Sequence, residues 1–476
     1  MPPTPPVIIQ GGMGVAVSDW RLARAVSAEG QLGVVSGTAL DTVMVRRLQL
    51  GDPGGFVRSA LDAFPVSGVA DQILDRYFIE GGKDPDRPFR KSPMGRLRPS
   101  RRLLDLLVAS AFVEVHLARR GHDNPVGINL LEKIQAPTLP VLFGAALAGV
   151  GYVLVGAGIP RAIPGILDRL AAGEPVALKA DVKRAAQDDH PHFRFDPADY
   201  GNGELLPPKR PDFLAIVSSH VLATVLARKT DSRVDGFVVE GPTAGGHNAP
   251  PRGKPALSAD GEPVYGERDT ADLSVFCDLG LPFWLAGSYG RPERVREALG
   301  EGATGVQVGT AFAFCRESGL DPSVKARVIA ASRAHRARVH TDPIASPTGF
   351  PFKVLGMEGS LSEPDAYAAR ERVCDLGYLR TAHVNDAGRL DWRCPAEPLD
   401  DFVRKGGDPA DAVGRKCLCN ALLANVGFAQ VRDGVTELPL ITSGDDVAEV
   451  AGFLPDGATD YSAKHVIDTL LGGITA

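Results

Sequence analysis

Short runs rich in valine, isoleucine and leucine recur at residues 7–10, 33–36, 126–129, 152–156, 213–218, 236–240, 283–286 and 305–308, and helical patterns such as residues 20–29 and 292–300 separate them. A strand with one face in water alternates apolar and polar positions, whereas a strand buried on both faces is apolar nearly throughout. Runs of the second kind, each followed by a helical pattern, predict parallel strands covered by helices. Eight such units predict an α/β fold closed as a (β/α)8 TIM barrel. One further apolar run, residues 176–182, is assigned to an extra hairpin with residues 192–195. If that assignment fails, an open doubly wound sheet is the alternative.

Three stretches interrupt the rhythm, near residues 51–120, 182–210 and 250–272. Two of them follow the C-terminal end of a strand, where barrel enzymes build their pockets. After about residue 361 the alternation stops. The chain therefore divides into a barrel with insertions, residues 1–362, and a Cys-containing extension, residues 363–476. Residues 136–160 carry no charge, but glycines and prolines interrupt them, so they read as helix, turn and strand and not as a membrane span.

Composition narrows the function classes. Lys and Arg number 52 against 58 Asp and Glu, a net charge of −6, which argues against a globally basic nucleic-acid binder. No basic region precedes the apolar residues at the start, so no secretory leader is expected. Six cysteines in 476 residues are too few for a secreted disulfide scaffold. A cytoplasmic location without membrane attachment is the expectation.

The strongest chemical signal follows the run at 236–240, where Gly241-Pro242-Thr243-Ala244-Gly245-Gly246-His247-Asn248 delivers a histidine on a glycine-rich turn. Glycine lets a backbone approach a ligand closely, and imidazole titrates near neutral pH. Taken alone, the segment reads more plainly as a flexible loop with a surface histidine. It is not alone: the last two strands run into Gly287-Ser288-Tyr289-Gly290 and Gly309-Thr310. Small residues there, with free N–H groups and a helix start, form the usual phosphate cradle of a barrel. At the other end of the chain the first strand opens into Gly11-Gly12-Met13-Gly14, the second into Ser36-Gly37-Thr38, and the third ends at Asn129.

These segments together make the chain resemble the nitronate monooxygenase family, formerly called 2-nitropropane dioxygenases. The resemblance rests on residues 7–14, on Leu22-Ala23-Arg24-Ala25-Val26-Ser27 and Gly33-Val34-Val35, on Ala244-Gly245-Gly246-His247, and on residues 305–312 with Glu317-Ser318. It runs in order through most of residues 5–355, insertions aside. What it implies is an FMN-dependent TIM barrel. Gly12, Met13 and Asn129 would flank the isoalloxazine and ribityl chain, and Gly245, Gly246, Gly287, Ser288, Gly309 and Thr310 would line the flavin and its phosphate. His247 would be the catalytic histidine, able to remove the α-proton of a neutral nitroalkane. The implied reaction oxidises alkyl nitronates with O2 to a carbonyl product and nitrite. The family commonly has Glu-Ala-Gly-Gly-His-Arg-Gly, whereas here Pro242-Thr243 precede Ala244 and Asn248 follows the histidine. A Gly-Gly pair is common where this chain has Gly287-Ser288.

Outside the resemblance, Cys374, Cys394, Cys417 and Cys419 cluster in the extension. Four thiols could hold a tetrahedral zinc or an iron–sulfur cluster. The spacing departs from the usual two-residue gap, so buried reduced cysteines are the competing reading. His190-Pro191-His192 reads as a solvated loop, and Ser346-Pro347-Thr348-Gly349-Phe350-Pro351-Phe352-Lys353 as a structural turn. Residues 83–102 hold Lys83, Arg87, Arg90, Lys91, Arg96, Arg98, Arg101 and Arg102 against Asp84 and Asp86. If that basic run borders the pocket, it could meet a phosphorylated substrate, a nicotinamide dinucleotide or an acidic carrier protein. An NAD(P)H-dependent FMN reductase acting on a quinone or an enoyl thioester is thus the second functional expectation. A flavin-binding protein without turnover is the third, and it leaves His247 unexplained.

Overall fold

The computed structural model describes residues 5–185, 191–228 and 232–472. His190 lies outside the described residues. Eight parallel strands form one sheet: β1 (Ile8–Gln10), β2 (Gly33–Ser36), β3 (Val126–Leu131), β4 (Tyr152–Gly156), β5 (Asp212–Val217), β6 (Gly236–Glu240), β7 (Phe283–Ala286) and β8 (Gly305–Val308). Neighbours follow chain order from β2 to β8, and β8 pairs with β1 through Ile8 and Val306. A bridge between Ile9 and Leu32 joins the two ends, with Gln10 N donating to Leu32 O (2.9 Å) and Leu32 N donating to Ile8 O (3.0 Å). The sheet is therefore a closed barrel, and the doubly wound alternative falls.

Why the strands read as apolar throughout is visible in their two faces. Side chains alternate along a strand. Ile9, Val34, Leu154, Leu214, Val238 and Trp284 meet inside the barrel. Their immediate neighbours Ile8, Val35, Val153, Phe213, Phe237 and Phe283 pack outward in the larger core under the helices. Each fully buried side chain of this size contributes roughly 1.5–3 kcal/mol relative to exposure. Inside the barrel Trp284 also satisfies its indole N–H on Pro6 O, 2.8 Å away.

Three helices are locked to each other by a buried charge network. The Asp19 side chain caps the helix Trp20–Ala28 by accepting from Arg21 N and Leu22 N. Its second oxygen meets Arg47, at 3.1 Å, on the helix Leu40–Gln49. Arg47 reaches Glu114, at 2.7 Å, on the helix Arg101–Ala118, and Glu114 accepts from Trp20 N at 2.8 Å. Every oxygen of this network that faces the interior thus has a charged or N–H partner, the condition under which buried carboxylates are tolerated.

The expected extra hairpin forms between Val176–Lys179 and His192–Phe195. Its predicted continuation to residue 182 does not hold. Val182–Lys183 separates and pairs in parallel with Thr381–Val384 of the extension, which is itself antiparallel to Leu390–Arg393. Further cross-links run from barrel to extension. Tyr378 Oη donates to Asp41 Oδ1 (2.6 Å), Phe89 N donates to Gln430 Oε1 (2.7 Å), and Tyr461 Oη donates to Ala311 O (2.7 Å). No helix among the described residues is long and apolar enough to cross a membrane.

Candidate active site

One cavity opens at the C-terminal mouth of the barrel, and every barrel strand lends it a residue from its end or from the turn that follows within a few positions, β2 through Thr38. This is the face where barrel enzymes place their chemistry, because the loops there converge while the strands beneath stay rigid. Gly12, Met13, Asn129, Gly245, Gly246, His247, Gly287, Ser288, Gly309 and Thr310 all line it.

The first turn is held from below. Ser18 Oγ receives Met13 N (2.9 Å) and donates to Gly11 O (2.9 Å), so Gly11-Gly12-Met13 wraps one hydroxyl. At Gly12 a Cβ would lie 2.3 Å from Asn129 Cβ, so only glycine lets this backbone close on β3. Gly287 has φ +103°, and a Cβ there would lie 2.8 Å from Thr243 Oγ1. That conformation and that approach together require glycine.

His247 is fixed on three sides. Its Nε2 lies 2.6 Å from Ser346 Oγ, its ring meets Phe352 edge-on at 4.8 Å, and the flanking backbone pairs with residues 351–353 through Asn248 N to Pro351 O and Lys353 N to Gly246 O. Asn248, which stands where the family commonly has arginine, donates from Nδ2 to Ala244 O (2.9 Å) and braces the turn. The segment 346–353, expected to be merely structural, is thus the wall against which the histidine is set. Burial lowers the His247 pKa to about 4, which leaves the imidazole neutral at physiological pH.

Glu240, at the end of β6, lines the same cavity, and burial raises its carboxyl to about 7. Both side chains retain some exposure, but it is exposure to the cavity. Sequence reasoning passed over Glu240, although its place as the last residue of a barrel strand is a signal that could have found it.

The extension supplies what the sequence did not announce. Gly246 N donates to Thr442 Oγ1 (3.0 Å), Gly444 N donates to Thr310 Oγ1 (3.1 Å), and Asp445 N donates to Thr243 O (3.1 Å). Thr442, Ser443, Gly444 and Asp446 consequently line the cavity. Lys353, almost wholly buried, pairs with Asp445 at 2.6 Å and ties this loop to the His247 wall. Asp446 hydrogen-bonds Thr310 and faces Gly290, so a carboxyl group stands beside the turns expected to cradle a phosphate, and burial raises its pKa.

The cavity suits a flat, polar-edged heterocycle. Gln307 Oε1 and Ser443 Oγ line it and are buried with no hydrogen-bond partner. An unsatisfied buried acceptor costs about 1–3 kcal/mol, so these atoms call for a ligand that hydrogen-bonds to them. At Gly12, Gly245 and Gly287 an added Cβ would collide with neighbouring protein atoms, so these turns close on one another only as glycine.

A second cavity lies elsewhere on the molecule, with its own lining. Pro93 and Gly95 of the basic run line it with Lys133, Lys183 and Arg380. Pro347 and Thr348, next to the serine that holds His247, form part of its wall. Cys374, Cys394, Cys417 and Cys419 come together on a separate small void. Among the described residues no group of three or more His, Cys, Asp or Glu is placed so that it could hold a metal ion as it stands.

The nitronate monooxygenase family model matches residues 209–341, a narrower span than the resemblance read from the sequence. No curated protein matches. Among solved structures, FabK from Thermotoga maritima is similar at 16% identity and a TM-score of 0.48, covering 99% of this chain and 93% of that one. Nitroalkane oxidase from Streptomyces ansochromogenes is similar at 14% identity and 0.45, covering 99% and 96%. The enoyl reductase domain of MlnA from Bacillus amyloliquefaciens is similar at 11% and 0.46, covering 99% and 94%.

Proposed function

We propose that the protein is an FMN-dependent oxidoreductase of the nitronate monooxygenase type, oxidising alkyl nitronates and nitroalkanes with O2 to a carbonyl product and nitrite. The observation that carries this reading is that the family's Gly-Gly-His turn, inside the matched span 209–341, shares one cavity with the small-residue turns of β1, β7 and β8 and with Asn129. Gly12, Met13 and Asn129 would hold the ring and ribityl chain, and Gly245, Gly246, Gly287, Ser288, Gly309 and Thr310 the rest of the cofactor. When bound, FMN supplies the electron acceptor that passes reducing equivalents on to oxygen.

The chain's own groups handle the proton. A neutral nitroalkane must lose its α-proton, and general-base catalysis by a positioned group contributes on the order of a hundred- to ten-thousand-fold. Neutral His247, steadied by Ser346, contacts the substrate as acceptor. Glu240, whose carboxyl burial raises to about 7, is a second group able to take the proton onward. Substrates are small molecules, because the site is a cavity at the barrel mouth rather than an open groove.

A second reading has its own support. The second cavity carries Lys133, Lys183 and Arg380 against Asp41 and Asp181, an excess of one positive charge that could meet a phosphorylated co-substrate. That favours an NAD(P)H-dependent flavin reductase acting on a quinone or an enoyl thioester, with an acidic carrier protein as the deliverer of the thioester.

Purified protein decides between them. Heat should release FMN, and FAD or a protein that takes up no flavin would refute the cofactor assignment. Anaerobic mixing with an alkyl nitronate should bleach the flavin, with oxygen uptake on re-aeration. Bleaching by NADH or NADPH with none by nitronate would establish the second reading instead.

A further inference from the structure

Cys374, Cys394 and the pair Cys417 and Cys419 come from three separate segments of the extension, yet all four line one void of about 10 Å³. Cys394, Cys417 and Cys374 pack on one another with Ala396 in a cluster of their own. All four are free thiols, so convergence has not produced a disulfide.

The surroundings are built for thiolates. The backbone N–H groups of Tyr378 and Leu379 hydrogen-bond the Cys419 sulfur, and that of Ala396 the Cys394 sulfur. Asn420 Nδ2 lies 3.7 Å from Cys417 Sγ. Arg380 and Lys405 lie near Cys374, together with the Glu397 carboxylate that pairs with Lys405 at 2.8 Å. N–H donors around sulfur stabilise its charged form and do little for a thiol. Burial acts the other way and raises the Cys374 thiol to about 11.

We propose that these four cysteines bind one divalent, thiophilic metal ion of the zinc class as a tetrahedral tetrathiolate. Four thiols release four protons as one M²⁺ binds, leaving a net charge of −2 on the centre, with Arg380 nearby and Lys405 shared with Glu397. As they stand the sulfurs do not form a ligand set, so binding requires them to turn about χ1, the one torsion that moves a cysteine sulfur. A single ion is favoured over an iron–sulfur cluster by size, because the void holds about one water-sized sphere and not several atoms.

Such an ion would clamp the walls of both cavities. Cys417 and Cys419 flank the first residue of the helix Leu418–Ala424, whose Leu422 lines the barrel cavity. Cys374 leads into Leu376, Gly377 and Tyr378 of the second cavity, and Tyr378 is bonded to Asp41 beneath β2. This inference does not depend on the flavin reading.

Metal analysis of the full chain, prepared without chelator and under reducing conditions, should find about one zinc per chain. Co²⁺ exchanged into the protein should give a thiolate-to-cobalt charge-transfer band in the difference spectrum against the zinc form, which cancels any flavin absorption. C394S and C417S should lose the metal, and C277S, altered at an exposed cysteine elsewhere, should keep it. If the serine variants do not fold, mercurial titration of the unaltered protein with a zinc-binding dye gives the same readout. Metal-free protein whose thiols titrate fully on unfolding, disulfides among the four, or an iron chromophore that survives flavin removal would each overturn the proposal.

Discussion

In the proposed reaction Glu240 and His247 would divide the acid–base work by environment, since burial pushes one up to about 7 and the other down to about 4. Below pH 7 the Glu240 carboxyl is increasingly protonated and cannot accept a proton; above it the carboxylate can. Turnover of a neutral nitroalkane should therefore rise with pH through about 7, and Glu240→Gln should abolish that limb while leaving nitronate oxidation flat. His247→Ala should keep its flavin and lose about a hundred- to ten-thousand-fold in kcat/KM at every pH above 5, more for the nitroalkane than for the nitronate. Steady-state pH profiles on both substrates check both expectations. Asp446 adds a third. Its carboxyl is protonated more readily than usual, so at low pH it is neutral beside the expected phosphate and at higher pH it repels it. FMN affinity should weaken as pH rises, and Asp446→Asn should tighten binding on the order of ten-fold and flatten the dependence. Fluorescence titration of the apoprotein measures this, and an unchanged slope in the variant would remove Asp446 from the cradle.

At the scale of elements, the network of Asp19, Arg47 and Glu114 joins the helices Trp20–Ala28, Leu40–Gln49 and Arg101–Ala118. Asp19 and Glu114 side chains are 2% and 4% exposed, so removing the cation between them leaves two buried carboxylates facing each other. Arg47→Met should destabilise the protein by about 3–5 kcal/mol, read from denaturant unfolding. A loss below 1 kcal/mol would mean that water reaches the network. Helix capping by Asp19 is legible in the sequence, as an acid just before an apolar-periodic segment. Its partners are not, because Arg47 and Glu114 lie 28 and 95 positions away, and charge patterning reads neighbours only within a helical turn.

Across the whole molecule, the extension is woven into the barrel by hydrogen bonds from Thr442, Gly444, Asp445 and Tyr461 and by the pairing of Val182–Lys183 with Thr381–Val384. Residues 1–362 and 363–476 should therefore unfold in one transition, checked by calorimetry with flavin release followed in parallel. Two resolved transitions, with flavin retained after the first, would show that the extension contributes nothing to the site.

The barrel was legible because burial on both faces leaves a local mark, an apolar run, that repeats once per unit. Closure of parallel strands then brings every C-terminal turn to one mouth. Residues as distant as Gly12, Asn129, Gly246, Gly287 and Gly309 could accordingly be assigned to one cavity without any knowledge of contacts. What only the tertiary structure decided is everything delivered from outside that repeat: Ser346 on His247, Asp445 on Lys353, and Thr442 on Gly246, 196 positions apart. No periodicity constrains such pairings, since each depends on how the segments after the eighth strand fold back over the barrel. The titration of Glu240 and His247 belongs with them, because desolvation is a property of the surrounding volume and not of the chain on either side of the residue.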